Sequence, residues 1–174
     1  MMSNKTVFIL IGPKGSGKSH VGTIVEKYFG IHFLNVDKLG LENIPKSKLL
    51  GEELIREGFH FEEAKIAEIL QTEDSVIFEN TGAHAYFFVM LERLHSSYEI
   101  KLIRVSAPLD KCRERIAKRD QTKNILVSKE LIQSINERAL KVQLPWDLEL
   151  DNSGDMTEVA IVAAFQSKFT SFKI

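Results

Sequence analysis

The sequence predicts an α/β fold: one three-layer domain with a parallel, doubly wound sheet between helices. Three observations carry this. Short apolar runs alternate with helix-length amphipathic segments along all 174 residues, the pattern of strands joined by helical crossovers. The first run, Val7 to Ile11, leads directly into Gly12-Pro13-Lys14-Gly15-Ser16-Gly17-Lys18-Ser19, which matches G-x-x-x-x-G-K-[ST] at every fixed position. A hydrophobic content of 44% supplies one proper core and leaves no room for a second catalytic domain.

Taken in order, the apolar runs place strands near 6–11, 31–36, 75–79, 99–106 and 147–151. Helices are expected near 17–29, 46–57, 59–71, 84–96, 109–119, 128–143 and 155–170. Val21, Ile24, Val25 and Tyr28 set the apolar stripe of the first helix. Phe87, Phe88, Met90 and Leu91 form a thick apolar face that reads as core. Pro108 ends the fourth strand before a helical repeat of Leu109, Cys112 and Ile116, and Ser128 is placed to cap the next helix. Asp155 with Glu158 three residues on reads as a capping box, and Trp146 after Pro145 should pack at the start of the last strand. The polar stretch 120–127 lies between two helices, as a flap over a bound ligand or an ordinary surface loop.

Composition narrows the partners. Formal net charge is −1 with no long block of either sign, so neither a nucleic-acid nor a membrane surface is expected. Cys112 is the only cysteine and no leader-like segment precedes Val7, which points to a cytoplasmic protein without disulfides. A monomer or weak homodimer is the expectation, with oligomeric state otherwise open. His84 and His95 have no partners at metal-ligand spacing, and Cys112 reads as an inert, semi-buried thiol.

The glycine-rich segment is a phosphate-binding loop. Its glycines allow successive backbone N–H groups to turn inward around phosphates, and the helix opening near Gly17 adds its N-terminal dipole. Lys18 is suited to neutralise β- and γ-phosphates and Ser19 to offer Mg²⁺ a hydroxyl, so ATP and Mg²⁺ are the expected cofactors. The nucleotide-contacting set is Gly12, Pro13, Lys14, Gly15, Ser16, Gly17, Lys18, Ser19 and, in the first helical turn, His20.

With these landmarks the chain resembles, end to end, the small P-loop kinases of the shikimate kinase and nucleoside monophosphate kinase group. The resemblance implies the P-loop NTPase strand order 2-3-1-4-5, a helical substrate region over about 38–70 and a lid over about 119–128. Phe33-Leu34-Asn35-Val36-Asp37 is similar to the F-x-D-x-D strand end of shikimate kinases, with the second acid kept; Asp37 would orient the acceptor hydroxyl and take its proton. Gly51-Glu52 and Phe59-His60-x-x-Glu63 partly match G-E-x-x-F-R-x-x-E, with His60 at the arginine position and Arg56 as a nearby substitute. Where shikimate kinases have three glycines, this chain has Glu79-Asn80-Thr81-Gly82. That turn resembles the acidic strand end of polynucleotide-kinase-like and zeta-toxin-like ATPases: Glu79 would hold a Mg²⁺ water, and Asn80 or Thr81 would meet the acceptor.

The same resemblance assigns Arg119 to stacking on adenine and Lys123 to the lid cation that neutralises the transferring phosphate. Arg113, Arg115 and Lys118 read as a solvated helix face. Arg138 would reach an anionic acceptor, and Asn152 and Ser153 lie in the loop that borders adenine. The leading reading is a kinase that moves the γ-phosphoryl group of ATP to a small anionic metabolite or nucleotide, with Lys18, Asp37, Lys123 and Arg138 in the chemistry and Ser19 and Glu79 at the metal. Asn35, His60 and the missing triple glycine keep open a nucleotide-binding regulatory protein of the same fold, and the Glu79 turn keeps open a nucleic-acid-end kinase.

Overall fold

Five parallel strands form one sheet in the order β2-β3-β1-β4-β5, in a computed structural model that describes residues 5–36, 38–39, 51–118 and 128–172. The strands are β1 (Thr6–Ile11), β2 (His32–Leu34), β3 (Ser75–Asn80), β4 (Glu99–Ser106) and β5 (Leu148–Asp151). The helices are α1 (Lys18–Phe29), α2 (Glu52–Ile69), α3 (Ala85–Ser97), α4 (Leu109–Ala117), α5 (Lys129–Leu140) and α6 (Glu158–Lys168). Class, layering and strand order are those the sequence implied.

All six residues of β1 are buried, because it lies between β3 and β4 and is covered on both faces. Alternation splits its side chains between two cores. Val7, Ile9 and Ile11 join Phe59, Ile66, Phe87 and Met90 under α2 and α3. Phe8 and Leu10 join Val21, Ile24, Ile161 and Phe165 under α1 and α6. The Phe8 ring lies 5.2 Å from that of Phe165 and 5.1 Å from those of Phe169 and Phe172. Gly22 lets α1 rest on β2: a Cβ there would come within 2.4 Å of the Phe33 ring.

Register aligns the carboxyl ends of the strands. Ile11 pairs with Asn80 of β3 and with Arg104 of β4, and Ser106 pairs with Asp151 of β5. The loops leaving β1, β3, β4 and β5 therefore meet along one edge, where open parallel sheets bind ligands.

Four local expectations are corrected. Helices expected over 46–57 and 59–71 include one unbroken element within the described residues, α2, which runs through Gly58; burial of Phe59, Glu62 and Ile66 outweighs that glycine's weak propensity. The last helix is capped by Thr157, whose side chain accepts from Ala160 N, while Asp155 stands outside it at φ 55°. Phe88 is 40% exposed, although Phe87, Met90 and Leu91 on the same helix are buried. Finally, Arg115 is not a solvated residue but is drawn onto backbone carbonyls, as described below. Ser128 does cap α5, accepting from Leu131 N, and Pro108 stands at the N-cap of α4.

Candidate nucleotide and acceptor site

Between Ile11 and Lys18 the chain turns back on itself, and close neighbours on three sides fix its path. A Cβ on Gly12 would lie 2.0 Å from the Val105 carbonyl oxygen, one on Gly15 2.4 Å from that of Cys112, and one on Gly17 2.2 Å from Nδ2 of Asn152. Gly15 and Gly17 also hold φ of 86° and 104°, a region that other residues rarely adopt. Each glycine of the motif is thus required by space, by backbone angle, or by both.

An inward-facing row of N–H groups needs its carbonyls turned outward, and buried carbonyls need donors. Every carbonyl from Gly12 to Gly17 has one. Lys18 Nζ donates to Gly12 O and Pro13 O, each at 2.8 Å. Asn136 Nδ2 donates to Lys14 O at 3.0 Å, and Lys14 N donates to Asn136 Oδ1 at 2.7 Å. Arg115 Nη1 donates to Gly15 O at 3.2 Å, and Asn152 Nδ2 to Ser16 O at 2.7 Å. Gly17 O accepts from Val21 N at 3.1 Å as α1 begins.

The donors outside the motif come from elements far apart in sequence. Asn136 lies on α5 and is 2% exposed; Asn152 follows β5 and is 6% exposed. Asn152 also accepts Met156 N at 2.8 Å, which fixes its amide orientation. Arg115 Nη2 reaches Asn152 O at 2.6 Å and Asp155 Oδ1 at 2.5 Å, tying the phosphate loop to the loop after β5. Lys111 adds bonds to Ser153 O at 2.6 Å and Asp155 Oδ2 at 3.3 Å. The hydrogen bonds from Arg115 and then Lys111 hold the Asp155 carboxyl below its ordinary range.

A cavity opens on the inner side, lined by Lys14, Gly15, Gly17, Lys18 and Ser19 at one end and by Val36, Phe59, Glu79, Asn80 and Thr81 at the other. Glu79 is 7% exposed and joins the two ends: the Ser19 hydroxyl lies 2.9 Å from each of its carboxylate oxygens. Parallel pairing sets this contact, since β3 places Glu79 opposite Leu10 at the end of β1, one turn before Ser19 returns on α1. The turn after Glu79 is internally braced. Asn80 Oδ1 accepts from Gly82 N at 2.9 Å and Thr81 Oγ1 from Ala83 N at 3.3 Å, and both residues line the cavity. His84 completes the turn as the cap of α3, its Nδ1 accepting from Tyr86 N at 3.2 Å.

The donor set fits Mg²⁺. A serine hydroxyl and a buried carboxylate are hard oxygen ligands beside space for phosphate and water, the arrangement by which Mg²⁺ is held with a nucleotide. No group of three or more His, Cys, Asp or Glu residues gathers among the described residues, and the Ser19–Glu79 pair is the set there that would hold the ion.

Other predicted residues fall elsewhere. Arg138 Nε donates to Ser134 O within its own helix at 3.4 Å and does not line the cavity. His20 is exposed, and Ser153 is engaged through its carbonyl and with Asp151. Arg56 approaches Glu53 at 3.9 Å, and Glu63 takes a two-pronged bond from Arg93 at 2.8 Å that joins α2 to α3. Asp37, Arg119 and Lys123 lie outside the described residues. Sequence reading missed Asn136 and Phe59 as site residues. Asn136 had no signal beyond its place beside Arg138, since a lone helical asparagine does not reveal a partner 122 positions away.

A phosphate loop at the carboxyl edge of a 2-3-1-4-5 parallel sheet, with an acidic strand end bonded to its serine, defines a P-loop nucleotide-binding protein. Residues 7–141 match the family model described as AAA domain, and the chain belongs to that family. None of the curated protein sequences compared with it matches. Among solved structures it is similar to a sugar kinase from Janibacter sp. HTCC2649, at 13% identity and a TM-score of 0.69, covering 98% of this chain and 99% of that one. It is also similar to the shikimate kinase of Acinetobacter baumannii in complex with shikimate, at 17% identity, a TM-score of 0.62 and coverage of 97% and 96%. The APS kinase of Mycobacterium tuberculosis, solved with AMPPNP and APS, gives 20% identity, a TM-score of 0.60 and coverage of 96% of each chain. At these identities the likeness is one of fold.

Proposed function

We propose that the protein is an ATP-dependent phosphotransferase that moves the γ-phosphoryl group to a hydroxyl or phosphate of a small metabolite or nucleotide. The observation that carries this reading is the single cavity running from the phosphate loop past the Ser19–Glu79 pair to Asn80, Thr81, Phe59 and Val36. A nucleotidase needs only the first half. The second half adds space lined by Asn80, Thr81, Phe59 and Val36, where an acceptor would be held in line with a terminal phosphate. The structural neighbours described as kinases support the same reading.

Phosphoryl transfer asks little covalent chemistry of a protein and much positioning and charge stabilisation. The backbone N–H groups of Gly15, Gly17, Lys18 and Ser19 and the Lys18 ammonium would bind and orient the phosphates. Ser19 and Glu79 would hold Mg²⁺, which would supply charge stabilisation to the phosphates. Asn80 Nδ2 and the Thr81 hydroxyl would donate to oxygens of the acceptor, and the Phe59 ring excludes water from that end. Asp37, next in sequence to the cavity residue Val36, is assigned to orient the attacking hydroxyl and accept its proton; Lys123 and Arg119 are assigned to the lid and the adenine ring. Arg138 is assigned to an anionic acceptor only if it leaves its contact with Ser134.

The test is acceptor-dependent ADP release across a panel of sugars, polyols, sugar acids, nucleosides and nucleotides. One or more acceptors should raise ADP release well above the acceptor-free rate with Mg²⁺ present. Lys18→Ala should abolish the increase, and Asp37→Asn should lower kcat by about 10²-fold or more, the usual range for a general base. An undiminished rate in Lys18→Ala would remove the phosphate loop from the reaction.

A further inference from the structure

The carboxamide of Asn136 is matched to one peptide of the phosphate loop. Its Oδ1 accepts from Lys14 N at 2.7 Å while its Nδ2 donates to Lys14 O at 3.0 Å, the two-bond pairing by which a strand would hold one residue of its neighbour. The side chain is 2% exposed and is held by helix α5, so the bonds form away from competing water. Lys14 itself lines the cavity beside Gly15, whose φ is 86°.

We propose that Asn136 is a positioning residue of the nucleotide site: it sets the plane of the Lys14 peptide, so that the N–H groups that follow converge on the phosphates. The other anchors named above act on neighbouring carbonyls. Lys18 holds Gly12 O and Pro13 O, and Arg115 and Asn152 hold Gly15 O and Ser16 O. Asn136 bonds both the N–H and the carbonyl of Lys14, from a helix that contributes no residue to the cavity lining. A carboxylate at 136 keeps the acceptor but loses the donor and puts negative charge beside the phosphate loop. A protonated carboxyl restores one donor and one acceptor, close to the original pairing.

The proposal concerns nucleotide affinity and is read without any acceptor, so it stands or falls separately from the kinase reading. Titration calorimetry with Mg·ADP is expected to show Asn136→Ala binding about tenfold more weakly than the parent protein, about 1.4 kcal/mol. Asn136→Asp, nearly the same size, should bind more weakly still at pH 8 and recover as pH falls toward 5.5, whereas the parent affinity should change little over that range. Circular dichroism at each pH establishes that the variants are folded. Mg·ADP affinity within twofold of the parent in folded Asn136→Asp at pH 8 would overturn the proposal, as would an Asn136→Asp affinity that does not recover on acidification. If Asn136→Ala does not fold, Asn136→Asp alone carries both readings.

Discussion

A methyl group at Gly17 would stand 2.2 Å from Nδ2 of Asn152, on a backbone already at φ 104°. Two costs coincide there: the strain of a left-handed angle and the loss of the amide that holds Ser16 O. Gly17→Ala should therefore lower the thermal midpoint measurably and abolish Mg·ADP binding in calorimetry. A Gly58→Ala control, where the added Cβ meets nothing within 4 Å, should bind as the parent does. At this scale the sequence was most readable where chemistry is local. The motif Gly12 to Ser19 named the nucleotide site outright, and the acidic end of a buried strand pointed to Glu79. The outer anchors Asn136 and Arg115 were illegible because their partners are backbone atoms about a hundred residues away, and backbone acceptors leave no mark on the sequence.

Among the elements, β1 and its flanking helices set where the site stands. Phe8 is fully buried and meets three rings from α6 and the segment after it, so Phe8→Ala should cost ~3–5 kcal/mol in denaturant unfolding. Phe88→Ala, at a position 40% exposed, should change stability by roughly 0.5 kcal/mol or less. The sequence treated these two phenylalanines alike as core. Apolar content marks a helix face but not its width, and α3 buries only the stripe that contains Phe87, Met90, Leu91 and Leu94. Strand existence and order followed from alternation and from the resemblance, while the start of α6 was displaced because its cap depended on geometry. Thr157 rather than Asp155 caps α6 because Asp155 is drawn to Arg115 and Lys111.

For the molecule as a whole, those ion pairs tie the phosphate loop, α4 and the loop after β5 into one body, and they titrate. Arg115 and Lys111 lower the Asp155 carboxyl, and Lys27 and Tyr28 lower that of Glu158. A carboxyl lowered by folding contributes stability above its unfolded value, ordinarily 3.8 for Asp155 and 4.5 for Glu158, and loses it as pH falls through the folded value. The melting midpoint should thus be level near neutrality and fall below about pH 4.5, and Asp155→Asn should flatten part of that fall. Both groups are well exposed to solvent, so the effect per group is small. On the proposed function, the two halves of one cavity serve donor and acceptor of a phosphoryl group. Following the γ-labelled phosphoryl of ATP tests it most directly, by chromatography of reactions with pooled small metabolites and Mg²⁺. Label is expected in a new organic phosphate and should be lost in Lys18→Ala; tight Mg·ATP binding with label only in ATP or inorganic phosphate would contradict the proposed function.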